Sequence, residues 1–153
     1  MLTKLFLIGQ INMKQKEKNI ILSVCLTCKN TNEENSKILP GQRLARNLKD
    51  NFKDEQNLTL RGVNCMSNCK RSCIISLTAE NCFTYVFGDV DPKNHEYINS
   101  LKELIISYNK SPEGFLRRRH RPEIYRSNIV GRFPPINSKS ELITSFEKEL
   151  NKK

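Results

Sequence analysis

The chain has 153 residues, with 26 lysine and arginine residues against 16 aspartate and glutamate residues, a formal net charge of +10. This length predicts one domain with one modest core, and a hydrophobic content of 37% suits a soluble globular protein. No stretch is long and apolar enough to span a bilayer, which excludes a membrane protein of the helical class. The basic residues are spread along the whole chain without a recognition-helix motif, so we expect neither a nucleic-acid partner nor a membrane partner.

The first part of the chain is polar and basic. Residues 1–18 are expected to form a disordered or mis-annotated N-terminal extension, with Met13 as an alternative start, because the structured pattern begins only at Ile20. The apolar run at residues 5–8 is too short for the core of a secretory signal. We therefore expect a reducing, cytoplasmic location, where the six cysteines serve as metal ligands or redox thiols rather than as disulfides.

Residues 19–110 carry the regular periodicity of a folded domain. The pattern predicts a buried strand, an amphipathic helix, a half-exposed strand, a two-strand hairpin and a second helix. Their predicted positions are residues 19–24, a helix that begins at Pro40, residues 57–63, 73–79 and 82–87, and a helix that begins at Pro92. One parallel crossover plus an antiparallel hairpin, with helices packed on the sheet, predicts an α/β fold of the thioredoxin-like, ferredoxin-type βαββα class.

Residues 111–153 are more basic than the preceding domain and lack its regular apolar periodicity. They predict a basic C-terminal extension that packs on the domain. Five consecutive residues, 117–121, contain four arginines and one histidine, so this segment either docks an acidic partner or covers the sheet as a solvated tail. Phe133 precedes two prolines, which favour an extended backbone. Residues 138–141 match a capping box before an apolar pattern at Leu142, Phe146 and Leu150, which predicts a short last helix.

Two clusters of cysteines stand at the ends of predicted strands. Cys25 and Cys28 follow the first strand, and Cys65, Cys69 and Cys73 follow the second. Zinc and iron bind deprotonated sulfur, and thiolate pairs on neighbouring loops fit a bridged pair of iron atoms or a four-thiolate zinc site. We therefore predict that Cys25, Cys28, Cys65 and Cys69 hold a [2Fe–2S] cluster or zinc, with Cys73 as an alternative ligand. 

A redox pair of thiols is the main alternative to a metal centre. A Cys-x-x-Cys sequence after the first strand is where a thioredoxin-like oxidoreductase places its attacking thiol, here Cys25 or Cys28. A long polar loop follows Cys28, so we expect the dipole of the next helix to be poorly placed to lower a thiol pKa. The redox-pair hypothesis also leaves the second cysteine cluster unexplained. The remaining cysteine, Cys82, falls inside a predicted strand and is expected to be a buried small apolar residue.

Other polar candidates have simpler explanations. Asp89 and Asp91 are either ligands of a hard metal ion or capping residues of a strand-to-helix turn. Three cations flank the cysteines and either raise the potential of an anionic cluster or are solvated charge: Lys29, Lys70 and Arg71. Phosphate-binding glycine loops, Ser/His/Asp patterns and paired catalytic carboxylates are absent from the sequence, so we expect a carrier or binding protein rather than an enzyme.

Seven motifs together resemble a known family. They are residues 24–28, 40–41, 65–73, 85–92, 111–114, 121–123 and 131–135. In these motifs the chain resembles a bacterial family of predicted metal-binding proteins without assigned function, domain-of-unknown-function family sixteen thirty-six. The resemblance implies a metal site and a thioredoxin-like ferredoxin fold, with occasional association with cobalt and cobalamin metabolism. The cysteine pattern is also similar to that of thioredoxin-like [2Fe–2S] ferredoxins, whose first cysteine pair is more widely spaced, and this difference leaves the cluster type open.

The sequence thus predicts a small electron carrier or redox sensor that holds a [2Fe–2S] cluster. The alternatives are a zinc- or cobalt-binding protein that delivers metal, and a thioredoxin-like dithiol oxidoreductase. We expect the partner to be a redox protein or a metal-dependent enzyme. The oligomeric state stays open, with a homodimer among the alternatives.

Overall fold

The computed structural model describes residues 17–29 and 37–146. Within these residues the regular elements are β1 Ile20–Cys25, α1 Pro40–Phe52, β2 Leu58–Val63, β3 Ile75–Ala79, β4 Thr84–Phe87, α2 His95–Lys110, α3 Ile124–Ser127 and β5 Ile129–Phe133. Short 3-10 turns lie between them at Cys69–Arg71, Pro112–Gly114 and Arg118–His120. Among the helices of these two described ranges, none is long and apolar enough to cross a membrane.

The strands form one mixed sheet in the order β2-β1-β3-β4-β5. β1 and β2 are parallel and are joined through α1, whereas β1–β3, β3–β4 and β4–β5 are antiparallel. A parallel crossover followed by a hairpin and a helix is the thioredoxin-like α/β arrangement that the sequence predicts, so this prediction is confirmed. β5 was not predicted, and it extends the sheet beyond β4.

β1 lies inside the sheet because its residues suit burial on both faces. Ile20, Leu22 and Val24 are almost completely buried, as an apolar run rich in β-branched residues predicts for an inner strand. Ser23 is also buried, and its hydroxyl accepts a hydrogen bond of 2.7 Å from Nε of Arg61, its partner across the β1–β2 ladder. This bond supplies the partner that a buried hydroxyl needs.

The two longer helices pack against each other, and α1 also packs against β1 and β2. Leu44, Leu48 and Phe52 of α1 are buried, so the predicted stripe of every fourth residue is the face that meets the core. The predicted start of the second helix at Pro92 is wrong. α2 begins at His95, because the side chain of Asn94 accepts the Glu96 amide at 2.9 Å and caps the helix there, after a separate turn.

The predicted tail is part of the folded unit from residue 111 to residue 133. Leu116 and Tyr125 are buried in the core, and the Tyr125 hydroxyl donates to the Tyr97 carbonyl at 3.0 Å. Within residues 138–145 only residues 141 and 142 form a turn, so the last helix does not begin at the predicted capping box. Phe146 is helical, and the residues that follow it lie outside the described residues. The predicted N-terminal extension also lies outside them, except for residues 17 and 18.

One buried tyrosine ties this C-terminal segment to the sheet, and its loss gives a testable effect. The Tyr85 hydroxyl accepts the Leu116 amide at 2.7 Å and donates to the Leu116 carbonyl at 3.3 Å, with all of these atoms buried. Tyr85→Phe leaves that amide without a partner, so we expect the free energy of unfolding to fall by about 1–3 kcal/mol in urea denaturation. Tyr97→Phe is the control: Tyr97 is only partly buried, and a change as large there would contradict this account.

Candidate thiolate site

The strand ends bring the cysteine clusters to one edge of the sheet. Cys25 is the last residue of β1, and β3 starts beside it because the two strands are antiparallel, with Val24 opposite Ile75. The Cys25 amide donates to the Ile74 carbonyl at 3.0 Å, which continues this pairing past the strand. Cys73 therefore lies next to the Cys25–Cys28 turn, although Cys25 and Cys73 are 48 positions apart in the sequence.

The first turn of α1 packs directly on the Cys25–Cys28 turn. The Gly41 amide points to the Cys28 carbonyl at 3.5 Å. A Cβ atom at position 41 would lie 2.0 Å from the Cys25 carbonyl oxygen and 3.2 Å from Cys28 Cβ. The expectation that the polar loop keeps this helix away from the thiols is therefore wrong. The positive end of the α1 dipole lies at the site, where it favours a thiolate.

Three thiols meet in the interior at this edge. Cys25, Cys28 and Cys73 are 4%, 1% and 2% exposed. The largest cause that lowers the pKa of Cys28 is a hydrogen bond from the Cys73 thiol. Hydrogen bonds from the Ile74 backbone and from the Cys25 and Ser72 side chains lower this pKa further. Together they lower the pKa of Cys28 to about 5 against the effect of burial. The same hydrogen bond raises the pKa of Cys73, and burial raises it further. The two shifts have opposite directions, so ionisation is favoured at Cys28 and opposed at Cys73.

The backbone on either side of Cys73 fixes this thiol in place. The Cys73 amide donates to the Val90 carbonyl at 3.4 Å, and the Val90 amide donates back to the Cys73 carbonyl at 3.1 Å. The Ser72 hydroxyl lies 3.9 Å from the Cys73 sulfur. A cleft of about 230 Å³ opens beside this sulfur, and its walls are Pro40, Ser72, Cys73, Asp89, Val90, Asp91 and Pro92. Of the three buried cysteines, Cys73 is the one that lines this cleft.

The other two predicted ligands lie on the surface. Cys65 and Cys69 are exposed on the loop between β2 and β3, where the Ser67 amide donates to the Cys65 sulfur at 3.4 Å. Among residues 17–29 and 37–146, no group of three or more histidine, cysteine, aspartate or glutamate side chains has the arrangement of a preformed metal site. The structure therefore brings Cys25, Cys28 and Cys73 together, and the ligand role of Cys65 and Cys69 stays a prediction.

Cys82 lies at the far end of the sheet, in the turn after β3. Its side chain is 7% exposed, and burial raises the pKa of its thiol against smaller lowering effects of the Lys18 charge and a hydrogen bond with Tyr108. Cys73 precedes the start of β3 and Cys82 follows its end, so the strand separates them. The prediction that Cys82 is a buried small residue is confirmed.

The charged side chains around the site form ion pairs or hydrogen bonds away from the thiols, or are exposed to solvent. Nε of Arg71 forms an ion pair with Asp89 at 2.5 Å, so this arginine is not a free cation beside the thiols. Asp91 accepts the Lys93 amide at 2.9 Å, which is the capping role rather than a metal-ligand role. Lys29 and Lys70 are exposed.

Sequence reasoning missed Thr27, which connects the two cysteine loops. Its hydroxyl donates to the Asn64 carbonyl of the second loop and lies 3.7 Å from the Cys25 sulfur. The position of this threonine between two cysteines of a tight turn could have indicated the contact, because a short hydroxyl side chain in a turn can form a hydrogen bond with neighbouring backbone. Thr27 thus holds the Cys25 turn against the loop that carries Cys65.

The low pKa of Cys28 predicts a pH dependence of stability in the metal-free protein. The pKa is about 5 in the folded chain and 9.0 for an ordinary cysteine, so the unfolded chain binds more protons between these values. Ionisation of Cys28 therefore adds stability to the folded state. This stability is fully present above 9.0, the pKa in the unfolded chain, and is lost as the pH falls through about 5, the pKa in the folded chain. In urea denaturation we expect the stability gap between the wild type and Cys28→Ser to widen as the pH rises from 5. A gap that stays constant over this range would contradict the assignment of the thiolate to Cys28.

The strand order and the thiol cluster define a cysteine-rich, thioredoxin-like α/β protein. The chain belongs to the family described as "Protein of unknown function (DUF1636)", whose model matches residues 22–135. This match confirms the resemblance that the motifs predicted.

Comparison with solved structures gives one further finding. The chain is similar to the structure of a thioredoxin-like [2Fe–2S] ferredoxin from Aquifex aeolicus, with 14% sequence identity and a TM-score of 0.45. The similarity covers 79% of this chain and 98% of that one. A search of curated proteins gives no match. The fold assignment rests on the strand order alone.

Proposed function

We propose that this protein binds a metal–thiolate centre, specifically a [2Fe–2S] cluster, and carries one electron or senses redox state. The observation that carries this proposal is the meeting of three buried thiols from two distant segments, Cys25, Cys28 and Cys73, at one edge of the sheet. Two more thiols, Cys65 and Cys69, lie on the adjoining loop. Two thiols would be enough for disulfide chemistry, so five at one edge favour a metal centre.

The donor set fits the cluster in its chemistry. A [2Fe–2S] cluster takes four thiolates, two for each iron. Cys25, Cys28 and Cys73 would supply three, and Cys65 or Cys69 would supply the fourth after its exposed side chain turns inward. Since no preformed metal group exists among the described residues, this rearrangement of the loop is part of the proposal. The cluster, when bound, would supply one-electron chemistry.

The chain's own residues already stabilise negative charge at this place. Cys73, the Ile74 backbone and the Ser72 side chain favour the Cys28 thiolate through hydrogen bonds, and the α1 N-terminus packs on the backbone of Cys28. These groups would also stabilise an anionic cluster. Lys29 and Lys70 are the exposed cations that would raise its potential, whereas Arg71 is paired with Asp89. The partner is then a redox protein or a metal-dependent enzyme in a reducing compartment such as the cytoplasm.

The direct test is anaerobic purification followed by metal and acid-labile sulfide analysis. We expect about two iron atoms and two sulfides per chain, a brown protein, and a paramagnetic signal after one-electron reduction. A colourless protein that holds one zinc ion on the same thiols would reject the iron proposal. Such a result would identify the structural or metal-delivery alternative instead.

A dithiol redox protein is the second candidate, and the Cys28–Cys73 hydrogen bond favours it. One thiolate beside one thiol is the arrangement from which a disulfide forms, with transfer of two electrons to an oxidant such as a substrate disulfide and release of the one remaining proton. The low exposure of both sulfurs opposes it, because a protein disulfide cannot reach a thiol that is 1% or 2% exposed. Reduction of a model disulfide by the metal-free wild type, lost in Cys28→Ser, would support this candidate.

A further inference from the structure

Four consecutive residues of the C-terminal segment form one short turn, the arginine turn, and all four are exposed: Arg117, Arg118, Arg119 and His120. The sequence alone is compatible with a docking segment for an acidic partner or with a solvated tail. In the structure the segment is not a loose tail, because the His120 amide donates to the Arg117 carbonyl at 2.9 Å and the preceding residue, Leu116, is buried in the core. The side chains of the turn therefore extend into solvent from a fixed backbone.

One further arginine, Arg126 of α3, holds the backbone of the arginine turn. Its Nη2 atom donates to the Arg119 carbonyl at 3.4 Å, and its Nε atom donates to the Arg121 carbonyl at 2.9 Å. In the other direction, Nη1 of Arg118 donates to the Arg126 carbonyl at 3.0 Å. The turn and the Arg118 guanidinium are thus ordered before a partner arrives, which lowers the entropic cost of binding.

The positive charge of the arginine turn is not paired within the part of the chain that the structure describes. Among residues 17–29 and 37–146, no carboxylate forms an ion pair with any of its three arginines. The carboxylate of Glu113 instead accepts hydrogen bonds of 2.9 Å from the Ser138 hydroxyl and the Lys139 amide. Adjacent exposed cations without counter-ions attract acidic molecules and steer their approach.

A groove of about 670 Å³ adjoins the arginine turn, and Arg117 and His120 of the turn form part of its walls. The walls also include three apolar residues, Pro112, Phe115 and Leu116. Cations at the side of a concave, partly apolar surface suit a ligand that combines negative charge with an apolar group. The charge and the shape therefore point to the same kind of occupant.

Phe115 distinguishes a protein from a nucleic acid as that occupant. Single-stranded nucleic acids bind where their bases can stack on open aromatic rings beside cations. The Phe115 ring is already in contact with other groups: the Arg132 guanidinium lies 4.6 Å from its centre, and the Phe83 ring packs against it at 5.3 Å. A turn of this length is also too short to serve as a recognition helix. A nucleic acid would use only the charges, whereas a protein segment would use the charges and the groove.

We propose that the arginine turn and the adjoining groove dock an acidic segment of a partner protein. The carboxylates of this segment would pair with the exposed arginines, whose planar guanidinium groups match carboxylate geometry. An apolar side chain between the carboxylates would enter the groove, as the apolar anchor of an interface with a charged rim does. The proposal depends on exposure, charge and shape at this surface, so it stands whether or not the thiols bind a cluster.

Fluorescence anisotropy with the full chain tests the groove, with two labelled peptides, Glu-Glu-Leu-Glu-Glu and Glu-Glu-Ser-Glu-Glu, at constant ionic strength. We expect the leucine peptide to bind about tenfold more tightly than the serine peptide, because the leucine side chain is buried in the groove. No binding of the leucine peptide, or equal binding of the two peptides, would overturn the proposal. Tighter binding of a labelled single-stranded oligonucleotide of the same charge would overturn it in favour of a nucleic-acid partner. 

Charge reversal tests the arginine turn itself. One variant combines Arg117→Glu with Arg119→Glu, and the matched control combines Arg46→Glu with Lys49→Glu on the exposed side of α1, so the two variants have the same net charge. We expect the first variant to bind the leucine peptide at least about tenfold more weakly, and the control to stay within about threefold of the wild type. Equal loss in the two variants would mean that net charge alone attracts the peptide, and would overturn the proposal. All four side chains are exposed, and an unchanged unfolding temperature shows that each variant is folded.

Discussion

Cys73→Ala is expected to reduce the iron content of anaerobically purified protein by about tenfold or more, since it removes one of the three buried thiols that meet at the site. The sequence alone favoured Cys65 and Cys69 as partners of the first pair, with Cys73 as an alternative. In the structure Cys73 is buried beside Cys28, and each thiol shifts the pKa of the other, so Cys73 belongs to the site. Iron and sulfide analysis with the visible spectrum measures the effect. The chain should also become less stable, because metal binding and folding are coupled.

Cys82→Ala is the matched control for this prediction. It removes an equally buried thiol of the same sheet, but from the opposite end of β3. We expect it to keep its full iron content. Retention of the cluster in Cys73→Ala would show that Cys25, Cys28, Cys65 and Cys69 are the ligands instead. Comparison of Cys65→Ser with Cys69→Ser identifies the fourth ligand if Cys73→Ala loses the iron, whereas both serine variants should lose it if Cys73→Ala does not.

Most of the sheet could be predicted because its strands carry their own periodicity. β1 is apolar except for Ser23, and α1 has buried residues at every fourth position. β5 could not be predicted in this way, because it is five residues long, contains Gly131 and lies in a basic segment. Its position is decided by pairing with β4, a tertiary contact that local pattern does not show.

The candidate site was predictable in its location but not in its composition. Cysteines that follow parallel strands must lie at one edge of the sheet, so the meeting of the two clusters follows from topology. The choice among Cys65, Cys69 and Cys73 depends on where β3 begins and on its antiparallel register with β1.

Gly41→Ala is expected to destabilise the protein by about 3 kcal/mol or more and to disturb the thiol site, although alanine normally favours a helix. The new Cβ would lie 2.0 Å from the carbonyl oxygen and 3.1 Å from the carbonyl carbon of Cys25. These are backbone atoms whose positions are fixed, since the Cys25 amide is bonded to Ile74. The first turn of α1 must therefore move away from Cys25 and Cys28. Urea denaturation measures the first effect, and iron content measures the second.

Gly62→Ala shows whether close approach to backbone is the cause. Its Cβ would also meet near atoms, at 2.5 Å, but these belong to the side chain of Leu26, which can adopt another rotamer. Gly62 lies in the edge strand β2. Alanine also lowers the conformational entropy of the unfolded chain relative to glycine, and this effect offsets part of the cost of the contact with Leu26. We expect a change of less than about 1 kcal/mol and a normal iron content. Equal loss in the two variants would mean that the edge of the sheet tolerates no added methyl group, and that the contact between α1 and the thiol turn has no special role.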